Sequence, residues 1–189
     1  MKIINSERKL NNKGFSLVEL LVVIAIMAIV TGVAMATVSM LDSSYVEDAE
    51  RGIKDYISLG RTKSMSVAAK EWYIAVGKED KDYYVYLYKV TEENSQNLTS
   101  LIDKKKLGAK VSISYGNDKD NQFLIGQTKL QMYFNPQTGK IAKVILDYDG
   151  NGTNDIPENN TGIGYIGIVR NDYDIDLKVF FNTGKCERE

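Results

Sequence analysis

The chain has 189 residues, which accommodates one apolar segment and one globular domain of about 145 residues. It contains no histidine, which removes the usual general base, the Ser-His and Cys-His nucleophile pairs and most zinc sites. Its 24 basic and 25 acidic residues nearly cancel, and the single cysteine, Cys186, has no internal disulfide partner.

Residues 1–14 carry Lys2, Arg8, Lys9 and Lys13 against one acid, Glu7. From Leu20 to Val38 no residue is charged, and only Thr31, Gly32 and Thr37 interrupt the apolar side chains. A helix needs about 20 such residues to cross ~30 Å of hydrocarbon. Thirteen of residues 15–38 are Phe, Leu, Ile or Val. Together they favour insertion by about 4 to 8 kcal/mol, whereas an acid at the bilayer centre opposes it by ~3 kcal/mol and Glu19 lies near one end. The balance predicts insertion. The basic flank predicts a cytoplasmic N-terminus, with everything after residue 40 across the membrane. A secretory signal has a shorter apolar part, although a cut near Ala34 to Ala36 stays open on composition alone.

Residues 39–69 read as a continuation of the helix. Val46, Ala49, Ile53, Ile57 and Gly60 follow three- and four-residue steps, and the charged side chains fall largely on other faces. No proline intervenes, so one helix is expected over about 17–68. Ala28, Gly32 and Ala36 form a small-residue stripe that permits close helix approach, a pattern that apolar helices also produce through composition.

After Lys70 the period changes to two. Strands are expected at Trp72–Val76, Tyr83–Val90, Val111–Tyr115, Leu130–Phe134, Ile141–Asp147, Tyr165–Val169 and Leu177–Phe181. Tyr83, Val85 and Leu87 alternate with Tyr84, Tyr86 and Tyr88. Half-buried β-sheet rings account for the tyrosines better than a platform for stacking bases or sugars. Residues 91–106 read as a polar loop with a short helical turn, and Lys104 to Lys106 as a solvated basic face.

One stretch has the composition of a calcium loop. Asp147, Asp149, Asn151, Thr153, Asp155 and Glu158 occupy positions 1, 3, 5, 7, 9 and 12 of a twelve-residue pattern, with Gly152 at position 6. Calcium takes six to eight hard oxygens around a tight turn. Alternating acids on a curling chain supply them, Thr153 through its carbonyl and Glu158 by closing bidentately. Asn154 replaces the usual apolar residue, Pro157 sits inside, and the flanks read as strands. The pattern therefore implies a single loop binding one Ca²⁺ and no helix-loop-helix pair. A plain hairpin is the alternative, because Asp-Gly and Asn-Gly are turn signals.

The order of basic leader, Lys13-Gly14, Phe15-Ser16-Leu17-Val18-Glu19-Leu20 and apolar helix resembles the N-terminus of type IV prepilins and the pseudopilins of type II secretion. The resemblance implies cleavage between Gly14 and Phe15 by a prepilin peptidase, N-methylation of Phe15 and retention of the helix. It also implies that Glu19 pairs with the N-terminal ammonium of a neighbouring subunit, since a buried ammonium needs an opposite charge. The family often carries a proline inside the apolar half, and this chain has none between Thr31 and Thr37. The long helix, Arg61-Thr-Lys-Ser-Met, Asn135-Pro-Gln-Thr-Gly139 and Phe181-Asn-Thr-Gly184-Lys185 resemble the GspH/FimT-type minor branch, which packs a β-sandwich on the helix.

These readings divide the chain into a leader (1–14), a membrane or filament-core helix (15–40), its amphipathic continuation (41–69) and a β-rich domain (70–189). The expected fold class is α+β, a long helix on antiparallel sheets. The expected function is that of a minor pilin or pseudopilin in a type IV pilus or type II secretion pseudopilus, with the other subunits and the peptidase as partners. Such a subunit passes once through the cytoplasmic membrane and then enters an extracellular or periplasmic filament. Loss of residues 1–14 leaves 20 basic and 24 acidic residues, a net −4, with one basic run. That balance argues against nucleic acid as a partner and against DNA capture; a membrane-anchored pilin-like binding module, for DNA uptake or surface recognition, is the alternative function. Without His or a nucleophile motif no enzyme is expected.

Overall fold

The computed structural model describes residues 16–66, 71–93, 96–126, 129–146 and 162–189. The apolar and amphipathic stretches form one helix, α1 (Leu17–Ser66), in line with the expected span. Glu19 in its first turn and Lys63 in its last complement the helix dipole. Residues up to Met40 form one compact unit and Leu41–Glu189 a second.

In the second unit α1 presents Val46, Ala49, Ile53, Tyr56 and Ile57 to the core, all buried. These are the positions that the three- and four-residue steps select, with Tyr56 added. Gly60 permits closest approach: a Cβ there would lie 2.5 Å from Phe134 Cε2 and 3.1 Å from Ile74 Cγ2.

Among the described residues the β-region has ten strands. In chain order they are β1 (Glu71–Glu79), β2 (Asp82–Glu93), β3 (Gln96–Leu107), β4 (Ser112–Asp118) and β5 (Asn121–Leu124). There follow β6 (Leu130–Phe134), β7 (Ile141–Ile145), β8 (Ile163–Arg170), β9 (Tyr173–Phe180) and β10 (Lys185–Arg188). They form two antiparallel five-stranded sheets, ordered β3-β2-β1-β6-β7 and β10-β9-β8-β4-β5. Their inner faces share one core with α1: Ile74, Val85, Met132 and Phe134 from the first sheet, Ile113, Ile166, Leu177 and Val179 from the second. The fold is α+β, with one long helix and two antiparallel sheets, as expected.

The period-two reading of β2 gives the sides of the sheet correctly. Tyr83, Val85 and Leu87 lie in the main core, whereas Tyr84, Tyr86 and Tyr88 join Tyr73, Ala75 and Tyr133 in a separate cluster.

Residues 91–93 and 96–106 are not a loop. They finish β2 and form most of β3, which pairs with β2 from Tyr83↔Leu107 to Glu93↔Gln96. Lys104 and Lys106 are accordingly ladder residues: Lys106 forms an ion pair with Asp82 of β2, and Lys104 reaches past β2 to Glu79 at the end of β1. The backbone bonds between two paired twelve-residue strands outweigh the low strand propensity of Asn, Asp and Lys.

Candidate functional site

The apolar half of α1 is a surface that water does not suit. Its large apolar side chains from Leu17 to Met35 are between 46% and 80% exposed. Its most apolar eighteen-residue stretch has a mean hydropathy of 2.7 and, among the described residues, is not buried. Such a stripe needs lipid or other helices to cover it. The polar interruptions fit either setting. Thr31 Oγ1 donates to Met27 O at 2.6 Å and Thr37 Oγ1 to Val33 O at 2.8 Å, so both hydroxyls are satisfied within the helix.

The helix begins in a capping box. Ser16 N–H donates to Glu19 Oε2 at 2.9 Å, and Glu19 N–H donates to Ser16 Oγ at 3.2 Å. Glu19 is exposed, and its carboxylate is turned back toward the start of the helix. Gly14 and Phe15 lie outside the described residues, as do Asp147, Asp149, Asn151, Thr153, Asp155 and Glu158 of the calcium loop. Among the described residues no group of three or more His, Cys, Asp or Glu gathers around a common point.

Leu41 begins the second unit, and the next residue is clamped to the β8–β9 hairpin. The Asp42 carboxylate accepts from Arg170 Nε and, at 2.7 Å, from Asn171 Nδ2. Arg170 also donates to Ala109 O, and its guanidinium lies 4.3 Å from the centre of the Tyr45 ring. The Asn171 amide and Arg170 guanidinium hold the Asp42 carboxyl below its usual range. A carboxylate only 7% exposed therefore stays charged and fastens α1 at the start of the globular unit.

Further along α1, three separate motif pieces meet. Arg61 donates from Nη1 to Thr183 O. Gly139 and Gly184, at φ 66° and 61°, lie against its stem, where Cβ atoms would approach Arg61 Cγ to 2.8 Å and Cδ to 3.2 Å. The sequence displays Arg61 and the pieces ending in Thr-Gly139 and Thr-Gly184-Lys185, but gives no signal of their convergence.

The outer tyrosines form a row. Tyr86 and Tyr88, Tyr88 and Tyr73, and Tyr73 and Tyr133 stack with centroids 5.9, 4.9 and 4.6 Å apart. Their faces are turned on one another, Lys129 Nζ covers Tyr86 at 3.9 Å, and Tyr86 is 1% exposed. Tyr86 donates its hydroxyl to Glu79, whose carboxyl the Lys104 ammonium and that hydroxyl hold low. Burial raises the Tyr73 phenol to about 12. The row is a small core on the outside of the sheet and leaves few ring faces for stacking a ligand.

Comparison with known proteins gives one match. Residues 9–35 fit the family model described as Prokaryotic N-terminal methylation motif. No curated protein and no solved structure matches the chain.

Proposed function

We propose, from the premise that the N-terminal motif marks this chain as a type IV pilin-like precursor, that it is a minor pilin or pseudopilin assembled through α1. The observation that carries this reading is the coincidence of the motif at 9–35 with an exposed apolar helix whose own hydroxyls are satisfied. The motif implies processing by a prepilin peptidase and assembly with other pilin subunits. Before assembly the helix is held in the cytoplasmic membrane with the leader on the cytoplasmic side. In a filament its apolar surface passes from lipid to the surfaces of neighbouring helices. The two five-stranded sheets around one core support placing it in the GspH/FimT-type branch.

Glu19 has two roles in this account. In the isolated chain it closes the capping box with Ser16. In the filament its carboxylate neutralises the free ammonium that cleavage creates on a neighbour's Phe15. The test is Glu19→Ala: the variant inserts in membrane but enters filaments poorly. Normal incorporation of Glu19→Ala removes the charge pairing. The stacked tyrosines and the net charge of −4 support a structural subunit over a DNA-capturing module.

The calcium loop rests on its sequence. Its test is calorimetry of the full chain in detergent with millimolar Ca²⁺, beside the Asp149→Ala, Glu158→Gln variant. Heat that disappears in the variant supports the loop; no heat in either chain removes it.

A further inference from the structure

From the Arg61 anchor β10 runs beside α1, and a groove lies between them. Two adjacent cavities of about 340 and 270 Å³ mark it, with Lys54 lining both. The smaller is bordered by Lys54, Ser58 and Arg61 from α1 and by four consecutive strand-side residues, 184–187. Side chains on a strand alternate between faces, so consecutive residues border one cavity only along the strand's edge. Among the described residues β10 pairs with β9 alone. The edge turned to the groove is therefore the one without a strand partner, and its N–H and C=O groups are a template for another strand.

The groove also has a sign. Lys54 is neutralised by Glu50 at 2.6 Å, and Arg188 donates to Tyr173. Arg51 and Lys185 border the groove without an ion pair among the described residues. Across both cavities five cations face three acids, Glu47, Glu50 and Glu187. A surplus of positive charge beside free strand hydrogen bonds fits an extended segment with carboxylates at alternate positions.

We propose that the α1–β10 groove binds an extended acidic peptide segment of a partner protein, which adds to β10 as the sixth strand of its sheet. Backbone pairing supplies affinity, while Arg51 and Lys185 select carboxylates over basic side chains. The proposal stands independently of the filament reading.

The test uses the full chain in detergent micelles and two synthetic peptides, Ac-DVEVEV-NH2 and Ac-KVKVKV-NH2. Hydrogen exchange is followed at the amides of 185–188 and at two of the three other edge strands, β3 and β5. The acidic peptide slows exchange at 185–188 and leaves β3 and β5 unchanged, and the basic peptide does neither. Arg51→Glu with Lys185→Glu weakens the acidic peptide's binding by roughly tenfold at unchanged melting temperature. If that pair lowers the melting temperature, Lys185→Gln alone, at an exposed side chain, reads the same weakening on a smaller scale. No slowing at 185–188, equal slowing by the basic peptide or at β3 and β5, or indifference to the charge changes overturns the proposal.

Discussion

Gly60 and Gly32 lie in the same helix, yet replacing each with alanine should affect the globular unit differently. In a helix interior the change gains about 1 kcal/mol from backbone propensity. At Gly32 no atom lies within 4 Å of the new methyl, so nothing opposes that gain. At Gly60 the methyl would sit 2.5 Å from Phe134 and 3.1 Å from Ile74, and both side chains are at most 1% exposed. Neither wall can retreat into solvent, so overpacking takes the upper part of its usual range, about 2 to 3 kcal/mol. Net destabilisation is then about 1 to 2 kcal/mol, or a melting temperature lower by about 2 to 8 °C. The assay is a thermal melt in detergent followed by near-ultraviolet circular dichroism, where the stacked tyrosines report on the globular unit. Gly32→Ala should leave this melt unchanged. A higher melting temperature for Gly60→Ala would refute the packing of α1 on Phe134 and Ile74.

Two further predictions concern the globular unit. The Asp42 carboxyl is held below its ordinary value in the folded chain, so the clamp's contribution is fully present above that ordinary value and is lost as pH falls through the lower, folded one. Asp42→Asn should therefore melt below wild type at neutral pH, with a gap that closes in acid; a gap independent of pH contradicts the charged clamp. Burial pushes the Cys186 thiol up to about 12, so it should resist iodoacetamide near neutral pH until denaturant exposes it. Equal rates in native and denatured chain would place it at the surface.

The parts of this fold that the sequence displays are those buried on a regular period. Val46, Ala49, Ile53 and Ile57 repeat at helical steps because α1 covers a core along its whole second half. Leu130–Phe134 is legible to the residue because β6 lies between two neighbours and alternates buried with half-buried side chains. The strands that sequence reasoning misses, β3, β5 and β10, share one property: each is the edge of its sheet. An edge strand pairs on one side and faces solvent more widely, so polar residues such as Lys104, Asn121 and Glu187 cost it little, and the apolar alternation fades. β3 keeps four apolar residues, of which Leu98, Leu101 and Ile102 are exposed and Leu107, at the end of the strand, is buried.

The site is legible to a different degree. The leader, Phe15, Glu19 and the apolar run are contiguous, so their meaning is local and a short motif conveys it. Ser16 as the partner of Glu19 follows from the three-residue spacing of a capping box, a signal available in the sequence. The Asp42–Arg170 clamp joins residues 128 apart, and the seating of Gly139 and Gly184 on Arg61 depends on both sheets closing around α1. No local pattern reports such meetings. The α1–β10 groove has no local signal for the same reason, since one side of it forms only when β10 pairs with β9.

The central claim is that the chain loses its basic leader and keeps its apolar helix, and the most direct measurement is the intact mass and N-terminal sequence of the mature protein. The expected product begins at Phe15, carries one added methyl group on its amine and retains Leu17 to Val38. A product that begins near residue 37, with the apolar half of α1 discarded, would contradict it.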